Sequence, residues 1–135
     1  MPRMTIAEIE QLMDGSFPDW RNFSSITALG EQDITLEMPF RRELLRAGGT
    51  ISGPALMALA DTAAYFLTLA HAGPVASAAT ANLDIHFLSR PKPAAIRAVA
   101  TMLRLGRRLS VARVDLFSAD TLVAHATVTY ALPHG

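Results

Sequence analysis

The chain has 135 residues, of which 50% are hydrophobic and 18% are charged, and its formal net charge is +0. This balance is typical of a globular domain and excludes a basic field that holds nucleic acid through its phosphates. The absence of cysteines also excludes disulfides, cysteine metal ligands and a thiol nucleophile. The first residues are polar and amphipathic rather than an apolar secretory core, so we expect one cytoplasmic domain over residues 1–135.

The N-terminal part of the chain predicts a short helix and two strands. Apolar residues recur at helical spacing in the range of about 4–14, which predicts an amphipathic helix. Apolar and polar residues then alternate over 23–29 and 32–38, as they do in half-buried strands. The basic segment 39–47 predicts an irregular connection.

A long apolar helix is predicted over residues 53–72. Ser52 is suited to be its N-cap, Pro54 fits the first turn, where a missing N–H costs nothing, and Gly73 ends it. The stretch is long enough to cross a membrane, but Asp61 at its centre would cost about 3 kcal/mol in a bilayer. We therefore expect no membrane contact and a helix that is buried on nearly every side.

Four further strands are predicted after this helix. Alternating patterns cover residues 76–89, 95–105, 109–118 and 121–132. The element order of helix, two strands, long helix and four strands indicates an α+β fold in which an antiparallel sheet curls around the long helix.

Asp61 is the only charged residue between Thr50 and His71. An ionised carboxylate among apolar residues is costly unless it is hydrogen-bonded or partly wetted. Such groups mark functional sites, but structural networks hold them too. Two interpretations are therefore open: a catalytic carboxylate, or a structural one that bonds to a nearby hydroxyl such as that of Thr62.

The N-terminus of the predicted helix offers a second reactive group. The N–H of Gly53 is unpaired there and lies at the positive end of the helix dipole, so it could polarise a carbonyl oxygen. Asp61 follows eight residues later, about 12 Å along the axis, which is too far for one carbonyl group to contact both. If both residues act on one substrate, two copies of the helix must supply them, and the spacing then predicts a homodimer with shared sites.

Three stretches together resemble the phenylacetate-pathway (PaaI-like) branch of the hotdog-fold thioesterases. They are residues 49–64, 80–88 (TANLDIHFL) and 105–109 (LGRRL), and the resemblance extends over about 48–132. It implies a hotdog fold, with an antiparallel sheet wrapped around a long central helix. It also implies hydrolysis of an acyl-CoA to the free acid and CoA, with no cofactor other than the CoA of the substrate, and a dimer that is doubled to a tetramer.

The resemblance assigns catalytic roles to four residues. Asp61 would be the general base or the nucleophile, and the N–H of Gly53 would bind the oxyanion. The His-Gly-Gly triplet that opens the helix in the family is Ser52-Gly53-Pro54 here. Ser52 therefore stands where the family has a histidine, although it could equally be an N-cap alone. Thr80 stands where relatives have a polar residue that orients the attacking water, and an ordinary strand threonine is the alternative.

Substrate-binding residues are also implied. The candidates are Arg90 and Lys92 after the third strand, and Arg104, Arg107 and Arg108 around the next turn. Relatives use comparable positions for the phosphates of CoA, while a solvated hairpin tip is the alternative for each arginine. Asn82 belongs to the matching strand, and Arg41, Arg42 and Arg46 are weaker candidates. Helix residues that could line a pocket for a medium-chain or aromatic acyl group are Ala58, Ala63, Ala64, Tyr65, Phe66 and Leu67.

Two other functions stay open at this level. A hotdog hydratase or dehydratase is disfavoured, because such enzymes pair a histidine with the acid and position 66 is Phe66 here. A non-catalytic acyl-CoA-binding protein is suggested by the departures at Ser52 and Pro54. No metal is expected, because the histidines lack metal-ligand spacing. They are His71, His86, His125 and His134.

Overall fold

The computed structural model describes residues 2–133, which fold into one antiparallel sheet and a long helix packed against it. His134 lies outside the described residues. Short 3-10 helices cover Pro18–Asn22 and Arg42–Leu44. The main elements are α1 (Ile6–Ser16), β1 (Ser25–Leu29), β2 (Asp33–Met38), α2 (Gly53–Ala72), β3 (Ala79–Phe87), β4 (Ile96–Leu105), β5 (Leu109–Ser118) and β6 (Thr121–Ala131).

The six strands lie in the order β1-β2-β4-β5-β6-β3, and every neighbouring pair is antiparallel. Helix α2 connects β2 to β3, which lies at the far edge of the sheet beyond β6. The chain therefore crosses the concave face of the sheet once, and α2 fills that face. The predicted α+β class is confirmed.

Small side chains let α2 approach the sheet closely. The inner face of the sheet carries Ala98, Ala100, Ala112, Ala124 and Ala126, all at most 1% exposed. Buried alanines and leucines of α2 face them, and this interdigitation gives the dense packing of a protein interior. The residues of α2 that are 0% exposed are Leu59, Ala60, Ala63, Leu67, Leu69 and Ala70.

Several of the observed helices and strands begin or end a few residues away from the predicted positions. Helix α2 covers the predicted residues, but α1 begins at Ile6 and continues to Ser16. Strand β3 begins at Ala79 rather than at residue 76, because a turn precedes it in which the Ala78 N–H donates to Val75 O at 2.8 Å. Part of the segment predicted to be irregular, Arg42–Leu44, is a 3-10 helix.

The prediction that α2 is buried on nearly every side is wrong. α2 has the length and composition of a membrane span, with a mean hydropathy of 1.3, and 61% of that stretch is buried inside the fold. One stripe of the helix stays open because the six strands of one chain cover only part of its circumference. The stripe consists of Pro54, Met57, Ala58, Asp61, Thr62 and Tyr65, which are exposed or half-buried.

The N-terminal segment packs against the C-terminal half of α2. A capping box fixes the start of α1, with the Thr5 hydroxyl accepting from Glu8 N and the Glu8 carboxylate accepting from Thr5 N. Ile9 and Met13 of α1 are buried in the core. This segment therefore forms a wall beside the open stripe of α2.

Candidate active site

Asp61 lies half-buried on the open stripe of α2 and accepts two side-chain hydrogen bonds. The Thr80 hydroxyl donates to Asp61 Oδ1 at 2.8 Å, and the Tyr130 hydroxyl donates to the same oxygen at 2.7 Å. Thr62 takes no part, because its hydroxyl donates to Ala58 O at 2.7 Å. The structure thus places Thr80, to which the resemblance assigned the orientation of the attacking water, in contact with Asp61. It excludes Thr62 as the partner of the carboxylate.

A β-bulge in β3 turns Thr80 toward Asp61. Thr80 pairs with Tyr130 and Asn82 with Thr129, so β3 has one more residue, Ala81, than the facing stretch of β6. The extra residue reverses the alternation of side chains along the strand. Thr80 therefore faces the helix, whereas Asn82 lies on the outer face of the sheet, away from the carboxylate.

Tyr130 is the residue of this cluster that the sequence reasoning missed. It lies on β6 and is only 5% exposed, and its ring centroid is 5.6 Å from that of Tyr65. Burial raises the pKa of the Tyr130 phenol above its ordinary value, and the hydrogen bond to Asp61 acts in the same direction. The phenol therefore keeps its proton at neutral pH and remains a donor. The alternation of β6, in which Tyr130 shares a face with buried Val128, was the available signal.

An apolar cleft of about 550 Å³ opens beside Asp61. Six of its thirteen lining residues are aromatic, in a chain with nine aromatic residues in all. The N-terminal segment supplies one wall, α2 a second, and the start of β3 a third. The lining residues are Met13, Phe17, Trp20, Phe23, Asp61, Thr62, Tyr65, Phe66, Ala76, Ala78, Ala79, Thr80 and Tyr130.

Of the helix residues expected to line an acyl pocket, Tyr65 and Phe66 do so. The Tyr65 hydroxyl donates to Ala76 O at 2.8 Å, which fixes its ring at the cleft. Ala63, Ala64 and Leu67 are instead buried against the core, at 0%, 1% and 0% exposure. The helical phase decides this, since the latter three lie on the side of α2 that meets the sheet.

Trp20 forms the rigid part of the opposite wall. Its ring meets Phe66 edge-on with centroids 5.5 Å apart, and its indole N–H donates to Asp14 Oδ1 at 2.8 Å. The Asp14 carboxylate also accepts from Arg21, and these hydrogen bonds, that from Arg21 first, lower the pKa of Asp14. Trp20 is thus held by a charged anchor outside the cleft, which the spacing of apolar residues did not reveal.

A second cleft, of about 540 Å³, lies at the N-terminus of α2. It contains Gly53, and Arg46 and Arg90 line it together, although they are far apart in the sequence. Ser52 caps the helix, since its hydroxyl accepts from Ala55 N at 3.2 Å. Gly53 and Asp61 therefore lie in different clefts of the same chain.

The remaining candidate residues lie outside both clefts. Arg107 and Arg108 are exposed at the tip of the β4–β5 hairpin. His71 lies against two backbone oxygens, Leu67 O at 3.1 Å and Glu31 O at 2.6 Å, and His125 bonds to Asp115 at 2.7 Å. Within residues 2–133, no group of three or more histidine, aspartate or glutamate side chains is arranged to hold a metal ion.

Comparison with known proteins identifies the fold and the family. The curved sheet around a long helix is that of the hotdog thioesterases. A proposed thioesterase from Silicibacter sp. TM1040 is 34% identical, with a TM-score of 0.89 over 98% of this chain and 94% of the other. The phenylacetic acid degradation protein PaaI from Thermus thermophilus is 24% identical, with a TM-score of 0.75 over 85% and 97% of the two chains, and supports the fold alone.

Sequence comparisons agree. Residues 48–125 match the family model of the thioesterase superfamily, and a proposed esterase from Thermoplasma acidophilum is 27% identical over 95 residues, 70% of each chain. The match covers more than half of the chain, so this protein belongs to the thioesterase superfamily. It is a hydrolase of the hotdog fold.

Proposed function

We propose that this protein hydrolyses acyl-CoA thioesters with a compact aromatic or medium-chain acyl group, as a member of the PaaI-like branch. The observation that carries the proposal is the position of Asp61. It is a half-buried carboxylate, held by two hydroxyl donors, at the side of an aromatic-lined apolar cleft. Such a cleft binds an apolar group, while the few polar atoms beside it act on the reactive bond.

The acyl group would occupy the cleft beside Asp61. Its volume of about 550 Å³ falls within the range of small-molecule sites, and its walls are rings rather than flexible chains. Aromatic rings favour offset or edge-on contacts with another ring. Tyr65 and the Trp20–Phe66 pair would therefore bind a planar or short acyl group better than a long, flexible one.

Asp61 would act as the general base. Thr80 can orient the attacking water. Its hydroxyl proton is used in the hydrogen bond to Asp61, so its oxygen lone pairs are free to accept a hydrogen bond from that water. The carboxylate removes a proton as the water oxygen attacks the thioester carbonyl carbon. Collapse of the tetrahedral intermediate breaks the carbon–sulfur bond, and the departing thiolate takes the proton from Asp61. Direct attack by Asp61, which gives an anhydride that water then opens, is the alternative route.

The oxyanion donor would come from a second subunit. Gly53 and Asp61 line different clefts, so one chain alone does not offer both to one carbonyl. A two-fold axis that brings Asp61 to the Gly53 of a second copy must pass near Met57, halfway between the two residues along the helix and 39% exposed. This homodimer would cover the apolar part of the open stripe of α2 and the edge of β3, two kinds of surface that soluble proteins rarely leave open.

The CoA moiety would extend toward basic side chains. Arg46 and Arg90 line the cleft that contains Gly53, and guanidinium groups bind phosphates through paired hydrogen bonds. We propose Arg90 as the principal phosphate ligand, with Arg46 beside it. Arg107, Arg108 and Asn82 lie outside both clefts and would contribute only through the assembled dimer or tetramer. Ser52 would act as the N-cap that holds the Gly53 N–H in place.

The remaining expectations are a cytoplasmic homodimer or dimer of dimers that needs no cofactor and binds neither nucleic acid nor membrane. Size-exclusion chromatography with light scattering would measure the assembly. A monomer with full activity would contradict the shared site.

The test of function is release of free thiol from a panel of acyl-CoAs by the wild type and by Asp61→Asn. We expect the wild type to turn over phenylacetyl-, benzoyl- or hexanoyl-CoA faster than palmitoyl-CoA, and Asp61→Asn to be at least about 100-fold slower. Equal rates for the two proteins would exclude Asp61 from the mechanism. Tight acyl-CoA binding without turnover by the wild type would identify a binding protein instead.

A further inference from the structure

Both hydroxyl donors at the catalytic carboxylate bind the same oxygen. Thr80 and Tyr130 donate to Asp61 Oδ1 at 2.8 and 2.7 Å, and the Tyr130 hydroxyl also lies 3.2 Å from the Asp61 backbone oxygen. Among the described residues, no side chain donates to Asp61 Oδ2. The two oxygens of the carboxylate are therefore chemically different.

This asymmetry decides which oxygen can act as a base. Two donors occupy lone pairs of Oδ1 and withdraw electron density from it, which makes it the weaker proton acceptor. They also stop rotation of the carboxylate about its last bond, since they approach from two different strands, β3 and β6. Oδ2 keeps its lone pairs and is held in one orientation.

Tyr130 is built to be a permanent donor. Its ring is buried against α2, and the strand pairing places Tyr130 directly opposite Thr80 on one side and Ser110 on the other. Removal of its proton would leave a phenolate beside a carboxylate in a poorly solvated position, which is unfavourable. A tyrosine that served only to fill the core would not need its hydroxyl within 2.7 Å of a carboxylate oxygen.

We infer that Tyr130 is a positioning residue for hydrolysis: with Thr80 it holds Asp61 Oδ1, so that Oδ2 is the oxygen that takes the proton from the attacking water. This inference rests on the proposed function, because it assigns to Tyr130 an effect that passes through Asp61. In this role Tyr130 acts through Asp61 and not on the reacting atoms.

The inference is tested with Tyr130→Phe, which removes one oxygen atom and keeps the ring. We expect kcat to fall about 10-fold, which is less than the loss expected when the acid–base group itself is removed. KM should change less than about twofold. The control is Ser110→Ala, which removes another buried hydroxyl next to Tyr130 and should lower the Tm similarly without changing kcat. An unchanged kcat in Tyr130→Phe, or an equal fall in Ser110→Ala, would overturn the inference.

A second measurement separates positioning from any direct role and from loss of folding. In an Asp61→Ala background, Tyr130→Phe should cause no further loss of the residual rate, because the hydroxyl then has no carboxylate to hold. A further loss of about 10-fold in that background would mean that Tyr130 acts on the substrate, and would overturn the inference. If Asp61→Ala itself leaves the rate unchanged, the proposed function fails and the role of Tyr130 fails with it. If Asp61→Ala is slow but Tyr130→Phe is fully active, only the role of Tyr130 fails.

Discussion

Two regions of helix α2, one around Asp61 and one at its N-terminus, differ in which parts of a reaction centre they contain. At Asp61, two hydroxyls fix a carboxylate beside a cleft lined by aromatic rings. At Gly53, the cleft is lined mainly by polar groups and loop residues, and it presents a helix N-terminus and two arginines. The first region offers a base and an apolar pocket, and the second offers N–H donors and positive charge.

Under the proposed function, each chain carries two unlike halves of a site. Thioester hydrolysis needs a base, an oxyanion donor, an acyl pocket and a place for the phosphates of CoA. Under this proposal, the Asp61 region supplies the base and the acyl pocket. The Gly53 region supplies the oxyanion donor and the place for the phosphates. A rotation of a second copy by half a turn joins unlike regions, which is the arrangement that a two-fold dimer produces.

The largest fall in kcat that would test this contrast is expected when the Gly53 N–H is removed. Gly53→Pro removes that donor at the first helical residue, and Ser52, which is extended at φ −71° and ψ 152°, is compatible with a following proline. We expect kcat to fall about 100-fold, as when an oxyanion donor is lost.

The matched variant is Gly53→Ala, which keeps the N–H. Its Cβ would lie 3.4 Å from the Phe87 ring, an ordinary contact. The loss of kcat should be several times smaller than in Gly53→Pro. Equal losses in the two variants would indicate that the helix start matters through its shape and not through its donor.

Mixing two inactive variants tests whether the halves come from different chains. Asp61→Asn and Gly53→Pro subunits, unfolded together and refolded in equal amounts, should form mixed dimers in which one of two sites has both groups intact. Activity should return to roughly a quarter of the wild-type value, since half of the dimers are mixed. Thiol release by the mixture, beside each variant refolded alone, measures this. No recovery despite verified mixed dimers would mean that each site lies within one chain.

A smaller effect is expected at the arginines of the Gly53 region. Arg90→Ala should raise KM for an acyl-CoA about 10-fold, through loss of a charge-assisted hydrogen bond to phosphate. The same acyl group carried on pantetheine, which lacks the nucleotide phosphates, should show no change in KM. Arg107→Ala is the comparison at the tip of the β4–β5 hairpin. A larger effect there than at Arg90 would move the phosphate site to that hairpin.

The smallest expected effect is on stability at alkaline pH, and it depends on the Tyr130 phenol beside Asp61. Burial raises the pKa of the Tyr130 phenol, so the folded protein keeps a proton that the unfolded chain releases above about pH 10. This contribution to stability is complete below that pH and is lost as the pH rises further. Between about pH 9 and pH 11, the Tm of the wild type should fall by about 4 °C more than that of Tyr130→Phe. Parallel curves would show that the phenol is not protected.

Most of the fold could be predicted from the sequence because its signals are local. The apolar run between Ser52 and Gly73 has a cap, a first-turn proline and a glycine stop, so the bounds of α2 follow from three residues. Asp61 stands out because it is the one charge in that run. Strand alternation predicted the other elements, and the sheet places them as a curved layer around the helix.

What could not be predicted depends on contacts between distant elements. The open stripe of α2 follows from how much of the helix six strands can cover, which no local pattern contains. The bulge at Ala81 reverses the direction of Asn82 through pairing with β6. Tyr130 reaches Asp61 from 69 positions away, and Trp20 joins the cleft through an Asp14 anchor that has no repeating pattern.

The position of both reactive groups on one helix also constrains how the chain can change in length. A residue inserted between Gly53 and Asp61 would rotate the carboxylate by about 100° about the helix axis, because an α-helix has about 3.6 residues per turn. The side chain would then leave the hydroxyls of Thr80 and Tyr130. Insertions are therefore excluded from this part of the helix, whereas the loops before Ser52 and after Gly73 can vary in length without disturbing the angular phase of the base.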